Sequence, residues 1–239
     1  MRAVRIAWAL LAVVLLASCG ETDRRVRAGD YDSFWLWAGV APQPALDRAK
    51  TVYLLGYELQ ADGGELTDLR PEPPRLPGRE LWLVVRLETL RWPEDAADRL
   101  IERLGQWRSA GNRVAGLQVD FDARTRHLEE YGEFLKTLRR RLPPDYRLSV
   151  TGLLDWSANG DPRALASLKG TVDEVVVQTY QGRHTVPGYQ AYFARMKGFP
   201  VPFKVGLVQN GEWTPPAGLE RHPRFKGYVV FLLNPAKRR

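Results

Sequence analysis

The chain has only one cysteine, Cys19, so no disulfide bond can form within a single copy of it. It has only three histidines, at positions 127, 184 and 222, and they lack the close spacing typical of zinc sites. Neither a Gly-x-Gly-x-x-Gly loop nor a Gly-x-Ser-x-Gly elbow occurs, which argues against a dinucleotide site and an α/β-hydrolase nucleophile. We therefore expect neither a metal ion nor a cofactor.

The chain also lacks an apolar run long enough to span a bilayer, for which about 20 residues are needed. The longest such run, Ile6 to Ala17, follows Arg2 and Arg5, which is typical of a secretory signal. It ends in Leu16-Ala17-Ser18-Cys19, which resembles the lipobox of bacterial lipoproteins. The resemblance implies cleavage before Cys19 and lipidation of its thiol, with a chance cysteine as the alternative. We predict a signal peptide over 1–18, a lipidated tether over 19–30 and one domain over 31–239.

The location and partners follow from this prediction. Gly20, rather than Asp, follows the cysteine, which by the same resemblance favours the outer membrane facing the periplasm if the source is Gram-negative. The formal net charge is +7, and +5 remains once Arg2 and Arg5 have left with the signal. A basic chain suits nucleic acid, acidic glycans or a membrane surface, but export disfavours nucleic acid. The sequence identifies no protein partner.

Eight apolar or aromatic runs predict strands, and amphipathic segments between several of them predict helices. One helix is expected from Pro93 to about Ala110, a second over 128–142, and a third from Asp161-Pro162 to Gly170. The strand runs are Ser33–Val40, Thr51–Leu59, Glu80–Glu88, Val114–Asp122, Tyr146–Trp156, Val172–Tyr180, Phe203–Gln209 and Gly227–Leu233.

Continuous apolar strands that alternate with helices indicate a parallel sheet covered by helices. Eight of them favour an α/β fold of the compact (β/α)8 TIM-barrel type, with some helices shortened or replaced by loops. The proline-rich stretch Leu66 to Arg79 is one expected loop. The alternative is an open doubly wound sheet, against which the first strand lacks a Gly-rich phosphate loop.

The fourth predicted strand is the most informative for function. Its apolar residues alternate with Gln118, Asp120 and Asp122, so the polar side chains share one face and point into a barrel. Asp120 and Asp122 then lie within roughly 7 Å of each other at the end of the strand where barrel enzymes carry their active sites. Since two ionised carboxylates so close repel each other, one of them should hold its proton and serve as a general acid.

This strand resembles the Asp-Gly-x-Asp-x-Asp-x-Glu signature of family 18 glycoside hydrolases. Gly116 and Asp120 match the signature, Gln118 replaces an inner Asp, and Asp122 replaces the acid Glu. Val177 to Gln181, which includes Gln178, resembles the Met-x-Tyr-Asp sixth strand of that family, with Tyr180 matching. The mature chain also resembles an uncharacterised bacterial family, domain of unknown function 3142.

The resemblance implies substrate-assisted hydrolysis, in which an acetamido group of the sugar acts as the nucleophile. Asp122 would protonate the leaving oxygen, Asp120 would orient the amide, and Tyr180 would hydrogen-bond to it. We thus predict an envelope lipoprotein that hydrolyses or binds a polysaccharide, for instance an N-acetylated glycan. The alternative is a non-catalytic barrel that binds glycans or scaffolds envelope partners.

Further substrate-binding candidates lie near strand ends. The polar ones are Glu58, Arg86, Asp155 and the motif residues Gln118 and Gln178, and the aromatic ones are Trp37 and Trp156. Each has a structural alternative: Arg86 can simply neutralise carboxylates, Glu58 can be a solvated rim residue, and a tryptophan is more often part of a core.

Overall fold

The computed structural model describes residues 24–156 and 160–235. Eight parallel strands, here named β1 to β8 in chain order, form the framework of the fold. Their bounds are β1 Ser33–Leu36, β2 Thr51–Leu59, β3 Glu80–Leu87, β4 Arg113–Phe121, β5 Arg147–Leu153, β6 Glu174–Gln178, β7 Phe203–Val208 and β8 Phe225–Phe231. All eight predicted strands are present, and most are shorter at their ends than predicted.

The sheet closes on itself. Strand β1 pairs in parallel with β2, where Phe34 lies beside Val52, and also with β8, where Phe34 lies beside Val230. Each of the other strands pairs with the strands that precede and follow it in the chain. The fold is therefore a closed eight-stranded α/β barrel of the TIM type, as predicted, and not an open doubly wound sheet.

Four of the seven connections between strands carry an α-helix in the described residues. Helix α1 (Ala96–Ser109) joins β3 to β4, and helix α2 (Leu128–Arg141) joins β4 to β5. Two brief helices, α3 (Pro162–Ser167) and α4 (Tyr189–Phe193), follow β5 and β6. The expected loop after β2 carries no helix, but it contains a two-residue strand, Thr67–Asp68, that pairs antiparallel with β2.

The core has two layers because successive side chains of a strand point to opposite faces. Leu117 and Val119 of β4 face outward, into the layer shared with the helices, where Trp107 of α1 is also fully buried. The barrel interior holds a smaller cluster built around three large aromatic side chains, those of Trp35, Tyr53 and Trp82. The described side chains thus fill the barrel below the strand ends, which leaves the space at the strand ends for a ligand of the barrel.

Part of the expected tether belongs to the folded domain. Val26 is buried and exchanges backbone hydrogen bonds with the segment after β7: its N–H donates to Gly211 and its carbonyl accepts from Asn210. The backbone of Arg25 forms an isolated antiparallel β-bridge with that of Glu212. The domain boundary at residue 31 was therefore placed too late, because an apolar residue within a charged stretch was overlooked. The predicted signal peptide and Cys19 lie outside the described residues.

Two features are absent from residues 24–156 and 160–235. No helix there combines the length and the apolar character needed to cross a bilayer. No group of three or more His, Cys, Asp or Glu side chains in these ranges is placed to hold one metal ion.

Candidate functional site

A cavity of about 590 Å³ lies at the carboxyl ends of the strands. Six of the predicted site residues line it: Trp37, Arg86, Asp122, Asp155, Gln178 and Tyr180. The other lining residues are Arg124, Leu153, Leu154, Gln181, Gly182, Val186, Tyr192 and Phe231. Since active sites of this fold lie at the same end of the barrel, the cavity is the candidate site.

One wall of the cavity is aromatic. Trp37 follows β1, and its ring meets that of Phe231, the last residue of β8, edge to face at 5.6 Å between centroids. Phe231 in turn lies 5.6 Å from the ring of Tyr180, which comes two residues after β6. The three rings follow one another along this wall and give it an aromatic surface.

The facing wall is polar. Asp122 is the first residue after β4 and is exposed, and Asp155 comes two residues after β5 and is half-buried. In a ring of eight strands, β4 and β5 lie four positions away from β8 and β1. The two carboxyl groups therefore face Trp37 and Phe231 across the cavity, which gives it one apolar and one polar side, and the cations Arg86 and Arg124 also line it.

Asp120 lies below the cavity floor and is almost completely buried, with 2% of its side chain exposed. Its Oδ1 accepts a hydrogen bond of 2.7 Å from the Thr151 hydroxyl, and its Oδ2 accepts one of 3.0 Å from Arg86 Nη1. Burial raises the pKa of Asp120, and the Arg86 charge and the Thr151 hydrogen bond only partly oppose that rise. Both carboxyl oxygens are thus already engaged by the protein.

Arg86 of β3 connects the buried carboxylate to the cavity, which its side chain helps to line. Besides the ion pair with Asp120, its Nε lies 3.9 Å from the Glu58 carboxylate of β2. Arg86 and Glu58 are neighbours because the two strands pair in register at these positions. Arg86 thus forms an ion pair with Asp120, and its place on the cavity wall also allows it to contact a ligand.

Gln118 lies deeper in the barrel and does not reach the cavity. Its Oε1 accepts a hydrogen bond of 2.6 Å from the Trp35 indole, and its Nε2 donates one of 2.9 Å to Ser149. The chain of hydrogen bonds continues from Ser149 to Glu174, which also accepts from Tyr53. Gln118 is therefore part of a satisfied polar core, and its prediction as a substrate-binding residue is not supported by its position.

Tyr180 lines the cavity and carries a hydroxyl group that can donate a hydrogen bond. Burial raises the pKa of its hydroxyl well above the usual value, and the charges of Asp120 and Asp122 raise it further. The hydroxyl therefore keeps its proton throughout the ordinary pH range. A neutral phenol at this position can donate to a sugar oxygen or an amide carbonyl.

Asp155 differs from Asp122 in its surroundings. Its Oδ1 is buried and has no hydrogen-bond partner among the described residues. Burial raises the pKa of Asp155. Hydrogen bonds from the backbone N–H groups of Asp155 and Trp156 lower this pKa, but their effect is smaller than that of burial. The environment therefore favours the protonated form of this carboxyl group.

We expect the stability of the Asp155→Asn variant, relative to the parent protein, to increase as the pH rises from 4 to 8. Because its folded pKa is raised, Asp155 contributes stability below its unfolded pKa that is lost as pH rises through the folded value, whereas asparagine stays neutral. Urea unfolding at several pH values measures the difference. Asp32, whose pKa is lowered mainly by its hydrogen bond with Lys50, is the control. Asp32→Asn should show the opposite trend, and a pH-independent difference for Asp155→Asn would contradict the expectation.

Trp156, which was predicted to bind substrate, does not line the cavity. It is 1% exposed, its ring packs against Tyr131 of α2, and its indole N–H donates to the carbonyl of Ala123 at 2.7 Å. Trp213, another tryptophan in a loop, is also buried, where it stacks on Tyr189. The chain turns sharply after β5, and this turn directs Asp155 to the cavity and the next side chain into the core.

The sequence analysis missed several residues of the cavity, among them Arg124, Phe231 and Tyr192. Arg124 comes two residues after Asp122, in the loop that follows β4, so the position of the motif could have indicated it. Phe231 lies within the last predicted strand, Gly227–Leu233, and is the last residue of β8, so its place near a strand end could have indicated it. Tyr192 comes from the short helix α4, and nothing in the local sequence distinguishes it from a packing residue.

A family model matches part of the chain. The model of a domain of unknown function, DUF3142, matches residues 77–190, just under half of the sequence. The range covers β3 to β6 and includes Arg86, Asp120, Asp122, Asp155 and Tyr180. The resemblance to this family is thus supported for the central part of the barrel. A search of curated proteins gives no match to the chain.

Solved structures share the fold. The spore cortex-lytic enzyme SleL of Bacillus cereus is 20% identical, with a TM-score of 0.52 over 78% of this chain and 52% of that one. This chain thus spans about half the length of SleL. The chitinase domain of the spore coat protein CotE from Clostridium difficile is 14% identical, with a TM-score of 0.50 over 83% and 70%. The xylanase and alpha-amylase inhibitor XAIP-II of Scadoxus multiflorus is 12% identical, with a TM-score of 0.52 over 84% and 92%.

Proposed function

We propose that the protein binds a segment of polysaccharide in the cavity at the strand ends, and that cleavage of this chain, where it occurs, depends on Asp122. The observation that supports the proposal best is the contrast between the two walls. Trp37, Phe231 and Tyr180 form the aromatic wall, and Asp122 and Asp155 lie on the polar one.

This contrast matches the surface of a sugar ring. A pyranose presents apolar C–H groups on its faces and hydroxyl groups around its edge. A ring stacked on Trp37 directs its edge towards donors and acceptors on the far wall. The volume of about 590 Å³ falls within the range usual for ligand pockets, and a few polar groups among apolar side chains are typical of them.

The shared fold is consistent with the proposal but leaves the activity open. The neighbours include a chitinase domain and an inhibitor of xylanase and alpha-amylase, so the same barrel serves an enzyme and a binding protein. An N-acetylated glycan is the substrate that the family 18 resemblance suggests. Attachment to the envelope through Cys19, with the domain in the periplasm, is part of the same proposal.

The alternative function is that of a scaffold protein, and the burial of three side chains distinguishes it from ligand binding. A scaffold can keep Asp120, Asp122 and Tyr180 buried and mutually paired. Asp120 is indeed buried and paired with Arg86, but Asp122 and Tyr180 line an open cavity. Two of the three residues therefore favour ligand binding at the strand ends.

We expect Trp37→Ala to weaken glycan binding at least about tenfold, because loss of a stacked ring costs about 1.4 kcal/mol. Titration calorimetry of the full-length chain in detergent, against chitooligosaccharides and envelope glycans, measures the affinity, and a reducing-end assay follows cleavage in parallel. Trp37→Phe, which keeps a ring, should retain most of the affinity. The control is Trp92→Ala, whose ring packs against Phe134 outside the cavity.

If the Trp37→Ala variant bound glycans with the same affinity as the parent protein, the proposed role of the aromatic wall in binding would be wrong. Failure of every glycan to bind the parent protein would favour the scaffold. Binding followed by release of reducing ends would establish a hydrolase, and Asp122→Asn should then abolish turnover without unfolding the barrel.

A further inference from the structure

We infer that Asp155 is the proton donor of this site and Asp122 its partner base, so that cleavage proceeds with two carboxyl groups and requires no acetamido group on the sugar. The inference rests on the proposed binding of a glycan in the cavity. It changes the role that the family 18 resemblance gives to Asp122, and it widens the substrate class to glycosides without an N-acetyl group.

The strand register brings the two residues together. Strands β4 and β5 are neighbours, with Val119 opposite Val150. Asp122 lies one residue past the end of β4, and Asp155 lies two residues past the end of β5. Adjacent strands are about 4.8 Å apart, so both carboxyl groups can reach one glycosidic bond held in the cavity that they line.

The surroundings of the two groups assign their roles. Ionisation of Asp155 would leave its buried Oδ1 without a hydrogen-bond donor among the described residues, and the backbone N–H groups of Asp155 and Trp156 compensate the charge only in part. The neutral acid avoids this cost and holds a proton for transfer. Asp122 is exposed, so water can approach it directly. Acid–base catalysis on a glycoside requires one carboxyl group that holds a proton and one that is ionised, and the two environments provide this difference.

Asp120 is not available for the substrate-assisted route. In that route it would have to hold the acetamido group, yet its two oxygens are occupied by Thr151 and Arg86. Only 2% of its side chain is exposed. The carboxyl groups that line the cavity are those of Asp122 and Asp155, which makes them the pair that a bound sugar meets.

The reaction balances without any other reagent. Asp155 transfers its proton to the glycosidic oxygen while the bond between that oxygen and the anomeric carbon breaks. Asp122 removes a proton from a water molecule whose oxygen forms the new bond to the same carbon. The products are a free sugar end and an alcohol, and proton exchange with solvent restores both carboxyl groups.

The other titratable and charged groups on the cavity wall set the pH response. They are Asp122 itself, the cations Arg86 and Arg124, and the hydroxyl groups of Tyr180 and Tyr192. The Arg86 charge is already balanced by Asp120. The rate should therefore fall as the pH rises through the pKa of Asp155, because the donor loses its proton.

The test compares two leaving groups and two sugars. With an unactivated oligosaccharide, Asp155→Asn should lower kcat roughly 10²- to 10⁴-fold, the usual contribution of a general acid. With a dinitrophenyl glycoside, whose leaving group needs no proton, the same variant should retain most of its activity and lose the alkaline fall in rate. Asp122→Asn should lose activity on both substrates. Asp47→Asn, an exposed residue outside the cavity, should behave like the parent protein.

Glycans with and without a 2-acetamido group complete the test. Cleavage of both kinds is expected. A strict requirement for the acetamido group, or equal loss of activity on both leaving groups in Asp155→Asn, would overturn the inference. Binding of glycans without cleavage by the parent protein would also overturn it, while the proposed function would stand. Absence of binding would defeat the proposed function itself.

Discussion

The Asp120→Ala variant should be less stable than the parent protein by about 3 kcal/mol. Removing the carboxylate leaves the Arg86 guanidinium and the Thr151 hydroxyl without their partner below the cavity floor. Breaking a buried ion pair costs about 3–5 kcal/mol, and we expect the lower end because 37% of the Arg86 side chain is exposed and therefore screened. Urea unfolding at pH 7 measures the loss.

Asp122→Ala is the matched control for this prediction. It removes the same group two residues further along the chain, from an exposed position, and should change the stability by less than about 0.5 kcal/mol. Circular dichroism should show that both variants fold. Equal stability of the two variants would mean that the Asp120 ion pair contributes nothing, and the assignment of Asp120 to the structure would fail.

The Gly116→Ala variant should fold poorly or lose more than about 3 kcal/mol of stability. A Cβ at this position would lie 1.9 Å from the backbone oxygen of Arg147 and 2.7 Å from its backbone nitrogen. These atoms belong to β5, the neighbouring barrel strand, so the collision can only be relieved by moving the strand itself. Expression level and thermal unfolding measure the effect.

Gly105→Ala is the control for the glycine prediction. Gly105 lies within α1, and nothing lies within 4 Å of an added Cβ. Alanine at an unhindered helical site should stabilise the protein by about 0.5–1 kcal/mol. If Gly116→Ala were as stable as the parent protein, the close approach of β4 and β5 beneath the site would be wrong.

Periodicity predicted the strands and helices of this protein well, because each depends on its own sequence. The alternation of Leu117 and Val119 with Gln118 and Asp120 was sufficient to orient β4 within a barrel. Closure between β1 and β8 joins segments about 195 residues apart and was inferred only from the number of strands. The packing of Val26 against the segment after β7 likewise depends on a distant contact that no local pattern reveals.

The candidate site was predictable where it follows strand ends and unpredictable where it depends on side-chain partners. Asp155 and Trp37 were indicated by their positions near strand ends, Asp122 by the alternation along its strand, and Tyr180 by the family 18 resemblance. All four line the cavity. The engagement of Asp120 depends on the registers of β3 with β4 and of β4 with β5, which set Arg86 and Thr151 beside it. The burial of Trp156 depends on the sharp turn after β5. The apolar run that predicted this strand, Tyr146–Trp156, extends past the turn and so gave no sign of it.

A structure of the protein crystallised with the oligosaccharide that binds most tightly tests the central claim most directly. We predict a sugar ring stacked on Trp37, with its edge facing Asp122 and Asp155 across the cavity at the strand ends. A glycan bound elsewhere on the protein, with this cavity empty, would contradict the claim.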